Sequence, residues 1–402
     1  MNLFPFALLM LCLPFGTSLQ SLATAIVSFF LFISKRRQLK DIFMSFSKVE
    51  RFSLLFLLLV TLLPMAATLI NPKNPVGDVI SYFLGFSPLL YVPCLFIATK
   101  PIPREGLEKL GRIWAGIMIA WALVLVTQSI WGWKIQGIEV VRGLSYTRSQ
   151  GFYSHPLTLA YVALMLWPFH LILLCKDFKN PWRYASVVSN LALLYFSASR
   201  TAQAVAILVA VGFILFNFRG RTRLIITGVM AAGLIGVFSS NNIISRRFLG
   251  MSSKMISEEK ESPYPDDRVA FWIVHWNMVK ERPILGHGIS LDRAYRIPYY
   301  EAIGLPGFKK AYEAHNQILQ IAAEGGIAAA LAFIFWLGTL HFNWKNASPT
   351  IKQIRDLTII SLLLGGLTQN AYLDGEVRFA LMTLMALVYA MGTVTLKRKS
   401  ET

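Results

Sequence analysis

Acidic residues are scarce in this chain: 21 Asp and Glu stand against 39 Lys and Arg, and charges of both signs make up only 15% of 402 residues. An average soluble domain carries about a quarter charged residues, so this composition excludes an ordinary water-facing globule. Cysteine is nearly absent. Cys12, Cys94 and Cys175 lie in or beside apolar runs, without disulfide or zinc spacing, and read as packing residues. There is no Walker loop, no dinucleotide fingerprint and no D-x-D-like or His/Cys cluster, which argues against a nucleotide-sugar enzyme and gives no reason to expect a metal or other cofactor. No fixed-period repeat or low-complexity tract interrupts the chain.

What is present is apolar: 55% of residues are hydrophobic and the mean hydropathy is +0.53. Charge-free windows long enough for a ~30 Å hydrocarbon core recur along the chain. The pattern predicts an all-α, polytopic membrane protein with about twelve spans, near 2–16, 18–34, 52–72, 79–99, 113–132, 155–175, 184–199, 201–218, 224–240, 316–340, 357–373 and 379–396. The first two read as a helical hairpin interrupted by Pro14 and Gly16. This N-terminus lacks a basic n-region and a small-residue cleavage site, so it is expected to be retained. One membrane domain over 1–402, with one elaboration at 241–314, is the simplest organisation.

Orientation follows from alternate connections, because basic residues stay on the cytoplasmic side. One set of connections holds 22 Lys and Arg and the opposite short set holds 6, which predicts both termini in the cytoplasm. The long segment 241–314, between the ninth and tenth spans, then lies on the outer side of the membrane, and is expected to be partly helical. It carries 11 basic residues and nine acidic ones. Long loops escape the positive-inside rule, so this basic content suits either an anionic partner or a solvated loop of mixed charge. Nucleic acid is a poor candidate, since topology explains most of the net charge of +18.

Within the loop, "DDRVAFWIVHWNMVKERPILGHG" (266–288) places Val269, Ile273, Trp276 and Val279 at helical spacing and stops at Pro283. It predicts an amphipathic helix lying on the membrane surface or over the bundle. Arg268 falls in its first turn, where exposed N–H groups favour anions and the dipole disfavours a cation, an arrangement suited to a phosphate; an Arg–Asp surface pair is the alternative. Arg200, in "SASRTAQ", sits at the outer mouth between two spans, as a ligand-binding residue or a snorkelling anchor. Arg148 and His155, in "YTRSQGFYSHP", lie just before the sixth span on the same side, with interfacial anchoring and capping as their alternatives.

His315 opens the tenth span on the side where those arginines converge, and a histidine can take a proton at neutral pH. Asn316 is placed to orient a substrate or the ring. Glu324 lies nine residues on, about 13 Å along a helix. It is out of phase with His315, so a buried structural contact is favoured, with Gly325 and Gly326 allowing close packing. Asp374 and Glu376, in "NAYLDGEVRF", are a possible outer pair that read more simply as solvated turn residues.

Three motifs together, "SASRTA" around Arg200, "DRVAFWIVHWNMVKERPILGHG" around Arg268 with its P-x-x-G-x-G ending, and "HNQILQIAAEGG" from His315, resemble the O-antigen ligase and polymerase superfamily of bacterial membrane enzymes. His315, Asn316 and Gly326 meet the family's histidine motif; Ala329 departs from it in a minor way. The resemblance implies a helical membrane bundle and a glycan donor on undecaprenyl diphosphate. It also implies transfer to a hydroxyl of lipid A core, with no metal or nucleotide. The family's two functional arginines fall on Arg200 and Arg268 and its essential histidine on His315. Displacement at an anomeric carbon needs a base and cations for the departing diphosphate. The competing readings are an O-antigen polymerase using the same donor and a lipid-linked glycan transporter or flippase. A transporter should show related halves and charged residues near the midplane, and Glu324 is the single such residue in the pattern.

Overall fold

The computed structural model describes residues 4–35, 37, 41, 44, 46–70, 104–132, 141–142, 147–239, 267–289, 293–306, 313–342 and 347–400. It contains thirteen α-helices among these residues: α1 (Phe4–Cys12), α2 (Thr17–Lys35), α3 (Lys48–Ile70), α4 (Arg104–Trp131), α5 (Pro156–Lys176), α6 (Pro181–Ser197), α7 (Arg200–Asn217), α8 (Gly220–Ser239), α9 (Asp267–Glu281), α10 (Arg293–Glu301), α11 (Gln317–Phe342), α12 (Pro349–Gly366) and α13 (Gly375–Ser400). One short antiparallel hairpin, β1 (Val141–Arg142) with β2 (Thr147–Arg148), pairs Val141 with Arg148. Among the described residues, five helical stretches are long and apolar enough to cross a membrane: Lys48–Ile70, Glu108–Trp131, Pro156–Lys176, Arg200–Asn217 and Gln317–Phe342. The expected span 79–99 and most of the loop before Asp267 lie outside the described residues.

The chain divides into two compact units. The first comprises 1–20, 102–259 and 356–365. Its centre is α5, buried nearly all round, as a helix apolar on every face should be. Polar side chains bind its neighbours to it: Trp114 donates to His170 from α4 (3.2 Å), Asn190 to the Ala163 carbonyl from α6 (3.2 Å), and Trp167 to the Ala206 carbonyl of α7 (2.9 Å). In an apolar setting each such bond is one of few available partners for its groups.

The second unit comprises 21–101, 260–355 and 366–402. Its main packing is α3 against α11, with α9 laid over α11. Helix α11 is broken rather than straight. Gly326 adopts φ 77° and ψ 174°, a conformation close to glycine-only, and divides the helix into a short half from Gln317 and a long half to Phe342. The stretch expected to be helical to residue 373 ends earlier, at Gly366, and residues 367–373 form a bend and a short 3₁₀ turn. Glycine at 365 and 366 followed by Gln369 and Asn370 supplies the stop signal that hydropathy overruns.

Candidate active site

His315 stands in the turn before α11 with φ 46°, a left-handed conformation that costs a side chain about 1 kcal/mol and persists only when its surroundings hold it. They do. Asn316 is the N-cap of α11, its Oδ1 accepting from Leu319 N–H (3.1 Å), and Gln320 Oε1 accepts from Ala314 N–H (2.8 Å). A second set of bonds stitches the turn to the bend after α12. Asn370 Nδ2 donates to Glu313 Oε2 (2.8 Å), Tyr372 N–H to Gln317 Oε1 (2.6 Å), and Asn316 Nδ2 reaches the Leu367 carbonyl at 3.4 Å. Between these, the Nδ1 of His315 lies 2.7 Å from Gln369 Oε1. An amide oxygen only accepts, so Nδ1 carries the hydrogen and Nε2 is the nitrogen that can take a proton.

The third side of the ring is closed by the loop helix. Phe271 of α9 lies against His315, centroids 5.5 Å apart. Arg268 is three residues before Phe271, on the same helix face and one turn nearer the N-terminus, half-buried in the first turn as the sequence indicated. Thus α9 sets Arg268 and His315 in one neighbourhood of the second unit. Its inner face is Ala270, Phe271, Val274, His275, Met278 and Val279, not the Val269, Ile273 and Trp276 stripe; Trp276 is 54% exposed. The helix is apolar on nearly every side, so periodicity alone could not choose the face that packing on α11 selects.

The P-x-x-G-x-G stretch, Pro283 to Gly288, fits into the break of α11. Breaking a helix releases carbonyls before the break and an N–H after it. Ala323 and Glu324 carbonyls accept from His287 N–H (2.8 Å) and Gly288 N–H (2.9 Å), and Ile327 N–H donates to the Pro283 carbonyl (2.8 Å). The approach leaves no room for Cβ atoms. One added to Gly326 would lie 1.9 Å from the Ile284 carbonyl oxygen, and one on Gly286 would lie 2.5 Å from the Glu324 carbonyl. Gly325 faces Pro64 of α3 in the same way, at 2.7 Å. Ile289 N–H then donates to Thr68 Oγ1 on α3 (2.9 Å). The glycines of two separate sequence motifs are therefore two halves of one joint.

Glu324 is buried beside this joint and accepts a hydrogen bond from Gln320 Nε2 (2.7 Å), a partner in its own helix and not in another span. Of the two acids read as solvated turn residues, Asp374 is half-buried in the bend and Glu376 lies within α13. Asp374 Oδ1 accepts from Glu376 and Val377 N–H groups at the start of α13, and Glu376 is buried.

Sequence reasoning missed three residues here. Gln369 lies in a stretch assigned to a span. His275 is wholly buried; its Nδ1–H donates to the Phe271 carbonyl (2.8 Å), and its Nε2 has no hydrogen-bond partner among the described residues. Burial, opposed by that bond and reinforced by Arg296, His315 and His287, pushes its pKa down to about 3, so it is neutral. His287, also buried, spans Tyr295 OH (2.7 Å) and the Met278 carbonyl (2.8 Å) and pins α10 to α9. A histidine inside an apolar helix gives no sequence signal of which face it occupies.

Arg148, His155 and Arg200 belong to the first unit. Helix α6 ends in Ala198 with φ 51°, and Ser199 caps α7, its Oγ accepting from Ala202 N–H at 3.5 Å, so Arg200 is the first residue of α7. Ser149, next to Arg148 on β2, donates its N–H to the Phe196 carbonyl (3.1 Å) and its Oγ to the Leu125 carbonyl (3.3 Å). The Arg148 strand is thereby tied to the end of α6 that leads into Arg200. His155 is the N-cap of α5, Nδ1 accepting from Leu157 N–H (3.1 Å). Among the described residues no group of three or more His, Cys, Asp or Glu could hold a metal ion.

The motif segments carrying Arg200, Arg268 and His315 all fall within residues 185–334, which match the family model described as O-antigen ligase. Over that segment the chain is similar to the O-antigen ligase family. No protein of curated function matches it. That similarity supports an O-antigen ligase or polymerase class of activity, that is, glycosyl transfer, and together with the five membrane-length helices among the described residues it supports a bacterial membrane protein. Arg148, His155 and Gln369 lie outside the matched segment.

Proposed function

We propose that this protein is an O-antigen ligase, moving a glycan from undecaprenyl diphosphate to a sugar hydroxyl of lipid A core on the periplasmic face of the inner membrane, with both termini cytoplasmic. The observation that carries the mechanism is the His315 ring, bonded through Nδ1 to Gln369 and bordered by the helix that bears Arg268. Nε2 takes the proton of the attacking hydroxyl as its oxygen bonds to the anomeric carbon. The bond from that carbon to the diphosphate breaks on the opposite face, which inverts the centre, and undecaprenyl diphosphate leaves. Arg268 meets the growing negative charge with bidentate donors, a task the family resemblance gives to Arg200 as well. Arg148 is assigned to the diphosphate or its first sugar. Asn316 and His155 already use Oδ1 and Nδ1 as helix caps, so their contacts to sugar would come from Asn316 Nδ2 and His155 Nε2. The chemistry requires neither metal nor nucleotide.

A polymerase would use the same donor with a lipid-linked glycan as acceptor. Lipopolysaccharide from cells lacking the protein separates the two: long chains retained on undecaprenyl diphosphate indicate a missing ligase, and single repeat units on lipid A core indicate a missing polymerase. His315→Ala protein should insert and bind donor yet transfer nothing; transfer at the parental rate would remove His315 as the base. A flippase would lose donor on the outer leaflet in the deletion and be indifferent to His315→Ala.

A further inference from the structure

We propose that Gln369 is a positioning residue for His315, fixing which ring nitrogen receives the proton; this rests on His315 being the base. Gln369 is half-buried in the bend after α12, with Oε1 2.7 Å from Nδ1. The bonds from Asn370 to Glu313 and from Tyr372 to Gln317 flank His315 along its own segment and hold the two segments in register. Phe271 blocks the ring from turning away. The arrangement does what a carboxylate does behind many catalytic histidines, which is to fix the tautomer and ring plane. It does so without a negative charge. A carboxylate would raise the ring's proton affinity, and a base must be unprotonated to begin the reaction.

Other groups surround the ring. Helix α9 brings Arg268 and His275, the latter interacting electrostatically with His315; the ring's own segment carries Glu313 and Glu324; the segment after Gln369 carries Asp374, Glu376 and Arg378. None of these changes when residue 369 is substituted, so a difference between variants reports the 369 contact.

The test uses the full chain in nanodiscs, with an undecaprenyl diphosphate-linked oligosaccharide and lipid A core, and follows kcat/KM against pH. Gln369→Glu still only accepts at Nδ1, so transfer persists, but the acid limb moves to higher pH by about one unit because a neighbouring negative charge favours the imidazolium. Gln369→Met loses the fixed tautomer, and kcat falls by at least ~10-fold with the KM for donor little changed. An acid limb unmoved in Gln369→Glu overturns the proposal, as does a Gln369→Met effect confined to KM. His315→Ala is run alongside. If it retains the parental rate the base assignment itself fails, whereas an inactive His315→Ala with an unmoved Gln369→Glu profile removes only the role of Gln369. Should Gln369→Met fold poorly, the near-isosteric Gln369→Glu profile decides alone.

Discussion

Gly326→Ala tests whether the joint between the loop and the broken helix holds the site together. With φ 77° and ψ 174°, an alanine at 326 sits in a region that costs a side chain about 1–3 kcal/mol. Its Cβ would also lie 1.9 Å from the Ile284 carbonyl oxygen and 2.3 Å from its carbon, both backbone atoms that cannot rotate aside. Relief requires the 283–288 stretch to move off α11. That breaks the bonds from His287 to Ala323, Gly288 to Glu324 and Ile327 to Pro283, worth about 1 kcal/mol each. The total, on the order of 4 kcal/mol, is in the range reserved for a few severe mechanisms. Because α9 is continuous with that stretch, Phe271 and Arg268 move with it. A displacement of about 1 Å at a reacting group can cost ~10²-fold in rate. Glycan transfer and the melting temperature in detergent should therefore both fall, and protease should reach the 282–289 stretch. Gly338→Ala is the control: it is helical, has nothing within 4 Å of an added Cβ, and should change stability by about 1 kcal/mol or less. Gly326→Ala protein with parental melting and transfer would refute the joint as the element that positions the site.

The sequence carried the five membrane-length helices of the described residues and the chain positions of the three motifs because both are local: apolar length marks a helix, and an arginine or histidine at the mouth of an apolar run stands out against lipid. Arg268 in a first turn and His315 before α11 were readable for that reason. What was not readable depends on pairs distant in sequence. Gln369 gains meaning only through His315, 54 residues away, and Gly286 only through the break at Gly326. Gly325 and Gly326 suggested close packing, which Pro64 fulfils, but a glycine pair in an apolar run does not say whether the helix continues through it. The stripe of Val269, Ile273, Trp276 and Val279 fits a helix on the membrane surface or over the bundle, and only the seat of α9 on α11 shows that Val279 is buried while Trp276 stays exposed.

Two further outcomes follow from the same contacts. Gly325→Ala would set a Cβ 2.7 Å from Pro64 Cγ and 2.7 Å from Ala329 Cβ, so it should lower the melting temperature, and Pro64→Ala in the same chain should recover part of the loss; strictly additive effects in that double-mutant cycle would refute the direct contact. The loop should also weaken in acid. Burial holds His275 at about 3 in the folded protein, below its ordinary value near 6.5, and His287 is lowered in the same direction, also chiefly by burial. A lowered folded pKa means the unfolded loop binds more protons, so stability is complete above about pH 6.5 and declines as pH falls toward 3. The exposed Trp272 and Trp276 report on α9 by fluorescence. Denaturant midpoints should drop between pH 7.5 and 5, and His275→Phe, which has no proton to gain, should drop less over the same interval whatever its starting stability. Equal drops in the two proteins would show that His275 does not couple the loop to pH, and that the acid sensitivity arises elsewhere in the fold.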